Sequence, residues 1–146
     1  MRKIILGLSL INFAAVAQTN IGHIDTTWRL MGANDKISIT RFDDPQVDNV
    51  SCYVSRAEKG GISGSLGLAE DPSKFSIACR ATGVPNIKGS IKDGDNVFSA
   101  KQNWIFKEVR VSRHFDKEKR VLIYTVWSTK LIDGSPQNSI TAVPLQ

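Results

Sequence analysis

Seven consecutive residues, Val121-Leu122-Ile123-Tyr124-Thr125-Val126-Trp127, are almost all β-branched, aliphatic or aromatic, and they follow a charged connector, Asp116 to Arg120. Ahead of that connector lie Trp104, Phe106, Val109 and Val111. Such side chains fit a pleated surface and lose rotamer freedom in a helix, so the pattern predicts a hairpin. The same signal recurs upstream. Lys36 to Phe42 alternates, with Ile37 and Ile39 on one face and Phe42 at the end,. Asn49 to Arg56 puts Cys52 and Val54 on one face and Tyr53 and Ser55 on the other,. Asp25 to Met31, Phe75 to Ala81 and Ser139 to Val143 complete the set of expected strands. Asp43-Asp44-Pro45 is a turn sequence, because Asp bonds its own backbone and Pro presets φ,. Lys92 to Asn96 suits a hairpin turn, and Asp71-Pro72-Ser73 suits a single capped helical turn,. The expected fold is mainly β: a single antiparallel β domain, sandwich or barrel-like, with one or two short helices and one disulfide.

The first residues do not belong to that pattern. Met1-Arg2-Lys3 is basic, Ile4 to Val16 is nearly all apolar or small, and Ala15-Val16-Ala17 offers the small side chains a signal peptidase requires. In this order the three parts read as a secretory signal peptide over residues 1–17, cleaved after Ala17,. The apolar run is shorter than the about 20 residues that span a bilayer. Residues 18–146 then form one mature domain outside the cytoplasm, with no transmembrane segment in the mature form. Arg2 and Lys3 leave with the signal, so 19 basic residues become 17 against 14 acidic ones, and net charge falls from +5 to +3. Those charges are interspersed, as in Lys117-Glu118-Lys119-Arg120, so no nucleic-acid partner is expected. Cys52 and Cys79, an even count in an oxidising compartment, read as a structural disulfide,.

Catalytic signatures are sparse. His23 and His114 are far apart and show no metal-ligand spacing, and no HExxH, CxxC or GxSxG motif is present,. No cofactor or metal is expected. Two pairs of acids stand out, Asp43-Asp44 and Glu70-Asp71, each ahead of a proline. Paired carboxylates do acid–base work when buried together, and they also make good turns. Arg56 and Lys59 flank the Cys52 strand and are placed to pair with them. Between the acid pairs runs Gly60-Gly61-Ile62-Ser63-Gly64-Ser65-Leu66-Gly67, too glycine-dense for a helix interior,. The candidate binding residues are therefore Asp43, Asp44, Arg56, Gly64, Gly67, Glu70 and Asp71.

Phe42 to Ala57, then Gly60-Gly61-Ile62 and Gly67-Leu68-Ala69-Glu70-Asp71, closely resemble the bacterial CreA family. Ile21-Gly22-His23-Ile24-Asp25-Thr26 looks like the family's start after its signal, and Asp133 to Pro144 looks like its end. The resemblance thus covers nearly all of residues 18–146 as a CreA-like domain. It implies export to the periplasm of a Gram-negative bacterium, and it carries over no catalytic or binding residue. The expected function is a non-enzymatic module that binds an envelope protein or a small ligand. The alternative is a small periplasmic hydrolase or lyase using Asp43, Asp44, Glu70 and Asp71.

Overall fold

The computed structural model describes residues 18–61, 75–103, 107–132 and 135–146. Eight strands account for most of them: β1 (Thr19–Thr27), β2 (Asp35–Asp43), β3 (Val47–Glu58), β4 (Phe75–Ile87), β5 (Asp95–Asn103), β6 (Lys107–Asp116), β7 (Val121–Ile132) and β8 (Ser135–Pro144). They form two four-stranded antiparallel sheets, β1-β2-β3-β4 and β5-β6-β7-β8. Within each sheet every strand pairs with its neighbour in sequence, so each sheet is a simple meander. No helix is among the described elements, and the helical turn expected at Asp71 lies outside the described residues.

Register explains the core. In the first sheet Phe42, Cys52 and Cys79 stand in one row, and Thr40, Val54 and Ile77 in the next. In the second, Phe98, Val111 and Val126 share a row, as do Phe115, Leu122 and Val143. The two inner faces meet, with Phe42 stacked on Phe98 at 4.4 Å between ring centroids and 4° between planes. β4 lies alongside β8, where the Cys79 N–H donates to Thr141 Oγ1 at 3.2 Å. The Cys52–Cys79 disulfide joins directly opposed residues of β3 and β4, with Cα atoms 4.0 Å apart.

Two local expectations need correction. The first strand runs from Thr19 to Thr27, so Trp28 to Met31 lie in the loop after it. On β2 the buried face carries Ser38, Thr40 and Phe42, whereas Ile37 and Ile39 are only half-buried. Phe42 fixes that parity, and the two hydroxyls on its face are satisfied, Ser38 by Glu58 and Thr40 by the Val54 carbonyl,. The Lys92–Asn96 segment makes a turn, with the Asp95 N–H on the Lys92 carbonyl, but not the expected hairpin. It leads from one sheet into the other, because β4 and β5 do not pair. The hairpin across Asp116 to Arg120 forms as read, with Asp116 opposite Val121.

Candidate functional site

Asp44 follows β2 on the same inward parity as Phe42, and it is 4% exposed. A carboxylate at that depth needs partners. Arg113 Nη1 donates to both of its oxygens, at 2.6 and 2.7 Å, and the Tyr124 hydroxyl donates at 2.7 Å. The Gln46 N–H closes the turn on Asp44 Oδ1 at 2.8 Å, and Arg113 Nη2 donates to Gln46 Oε1. Arg113, Tyr124 and Thr141 form one cross-strand row of the second sheet, between its two apolar rows. That polar row is answered from the first sheet by Asp44 and by the Cys79 N–H. Burial, and then the negative Asp44, push the Tyr124 hydroxyl far above its ordinary value, so it stays protonated and remains a donor,.

Asp43 points the other way. It is solvent-exposed and accepts from Ser51 Oγ at 2.6 Å. The two acids line one polar cleft of about 550 Å³ together with Arg41, Asp48, Asn49 and Ser51. Asn49 sits at a β-bulge with φ 61°, and its amide donates to the Val84 carbonyl at 2.9 Å,. Asp43 and Asp44 therefore do not form a close carboxylate pair: Asp44 is held by three donors, Arg113 Nη1, the Tyr124 hydroxyl and the Gln46 N–H. Arg56 lies on β3, near Glu58 at 3.8 Å. Gly64, Gly67, Glu70 and Asp71 lie outside the described residues. Among the described residues no cluster of His, Cys, Asp or Glu has the makings of a metal site.

A second locus was missed in the sequence. β1 is exposed along nearly its whole length, and among the described residues no strand pairs with its outer edge. Ile21, Ile24, Trp28, Leu30 and Met31 are all exposed, Trp28 at 73% and Leu30 at 83%. The loop that carries the last three is not loose. Arg29 makes a two-pronged pair with Asp35, both bonds 2.9 Å, and its N–H donates to Asn34 Oδ1. Asp35 Oδ1 also accepts the Gly60 N–H at 2.7 Å, and Gly61 bridges to Ala33. Backbone meets backbone here: a Cβ on Gly60 would overlap the Ala33 carbonyl, and one on Gly32 would fall 2.5 Å from the Gly61 carbonyl carbon. The paired Arg29, followed by the Gly60 N–H, holds the Asp35 carboxyl below the usual carboxylate range. Gly60-Gly61 thus serves as a seat for this loop. The sequence signal for it was Trp-x-Leu-Met beside an Asp-Lys strand start, which reads as buried strand unless the next strand's register is known.

No helix among the described residues is long and apolar enough to cross a membrane. The profile of the family described as CreA protein matches residues 21–146. Protein CreA of Escherichia coli K12 is 42% identical, with 99% of this chain and 95% of that protein covered. Protein CreA of Escherichia coli O157:H7 is similar to the same extent. No solved structure gives a significant match.

Proposed function

The chain belongs to the CreA family, and we propose that it works in the periplasm as a non-catalytic binding module of the cell envelope, docking a partner protein along β1 and the loop after it. The observation that carries this reading is the group Ile21, Ile24, Trp28, Leu30 and Met31, exposed on an open sheet edge and a braced loop. Exposed large apolar side chains in one place mark interaction surfaces. Tryptophan is enriched among the residues that dominate binding energy. An open edge offers main-chain hydrogen bonds to an added strand. Bracing by Asp35 and Gly60 lowers the ordering entropy that docking must offset. The signal-like residues 1–17 support export, and the disulfide suits an oxidising compartment,. The hydrolase or lyase alternative gains no support at Asp44, whose oxygens are occupied by Arg113, Tyr124 and Gln46.

The test is a photo-crosslinking amino acid at position 28 of the full chain, irradiated in intact cells, with position 119 as control. Discrete protein adducts from 28 and not from 119, in the periplasmic fraction, are the expected result. Diffuse or absent adducts from a folded protein would remove the basis for the reading.

A further inference from the structure

The segment between β4 and β5 faces the end of β6 across a cleft of about 560 Å³. Volumes of this order hold small organic ligands. Its walls divide by chemistry. Ile87, Ile91 and Phe115, half-buried against the core, supply an apolar side. Lys92 and Lys117 supply ammonium groups, and Lys117 lies within electrostatic reach of Asp93. The acid in the cleft is already engaged: Asp93 accepts the Phe115 N–H at 3.0 Å and faces His114 Nδ1 at 3.1 Å. Arg113 is also part of the wall, and among the described residues its buried Nε has no acceptor.

We propose that this cleft is a binding site for a small organic anion with an anionic head, carboxylate or phosphate ester, on a short apolar body. The head lies between Lys92 and Lys117, and the body lies against Ile91 and Phe115. The site is separate from the β1 surface and does not depend on a partner docking there.

The experiment titrates ¹⁵N-labelled protein comprising residues 18–146 with octanoate, hexyl phosphate, inorganic phosphate and the neutral octyl glucoside, following amide shifts. The expected result is saturable binding of octanoate or hexyl phosphate, with shifts centred on Ile91, Lys92 and His114 to Lys117. Whichever of the two binds more tightly identifies the head group. Replacing both lysines, K92Q with K117Q, should weaken binding about tenfold or more through loss of the charge-assisted contacts, while K119Q on the same hairpin should leave it unchanged. Both sites are exposed, so folding is expected to survive, and the amide spectrum reports it directly. No saturation by about 5 mM, equal binding of octyl glucoside, equal binding of inorganic phosphate, or an unchanged affinity in K92Q/K117Q would each overturn the proposal.

Discussion

Arg113 is the residue on which the two sheets agree. It continues the inward parity of Val109 and Val111, and its side chain is fully buried. Removing one member of a buried, hydrogen-bonded pair strands the other. Arg113→Met should therefore destabilise the protein by about 3–5 kcal/mol in urea unfolding, with a smaller loss when Asp44→Leu is added to it. This was partly legible: a charge at an inward position of an alternating strand implies a buried partner. Which acid answers it was not legible, because Asp44 lies 69 residues away and only the packing of the sheets joins them. Asp44 itself read as a turn residue, and its bond from the Gln46 N–H shows that it is one as well. Asp35 makes a pH-dependent contribution. Its folded carboxyl titrates below its unfolded value, so its stabilisation is present above about pH 4 and is lost as pH falls through the folded value,. Asp35→Asn should reduce stability at neutral pH and flatten the acid limb below about pH 4, measured by denaturant midpoints across pH.

Among the elements, those with strong alternation or β-branched runs were readable from local chemistry: β3, β6, β7 and the turn between the last two. β1 was displaced because its apolar residues face solvent, which breaks the inside-out rule on which strand reading depends,. Which face of β2 turns inward was not legible, because two hydroxyls, and not two isoleucines, accompany Phe42 inward. The Cys52–Cys79 link joins adjacent strands 27 residues apart in sequence. Changing both cysteines to serine, or reducing the bond, should lower stability by about 3–4 kcal/mol by the loop-closure relation, read as a shift in the urea midpoint. Gly60→Ala tests the seat of the 28–34 loop. Its Cβ must displace the Ala33 carbonyl, so a loss of about 1–3 kcal/mol is expected. Crosslinking from position 28 should fall with it if the braced loop is what the partner meets.

At the scale of the molecule, residues 19–87 build one sheet and residues 95–144 build the other. The chain never returns to a sheet it has left. The joins between the halves include a shared apolar core, the Phe42–Phe98 stack, Asp44 with Arg113 and Tyr124, and β4 beside β8. Each half carries one inner face that its own strands leave uncovered, so neither half has a complete core by itself. The connection between them, around Gly89 and Ser90, is exposed and forms part of no strand. The molecule is in this sense already a complex of two peptides that happen to share a backbone. Severed at Gly89, the two pieces should each stay unfolded when made separately and should restore the native amide spectrum when mixed, with an affinity that R113M abolishes. Evolution or an engineer could therefore open this fold at one bond and turn its assembly into a switch.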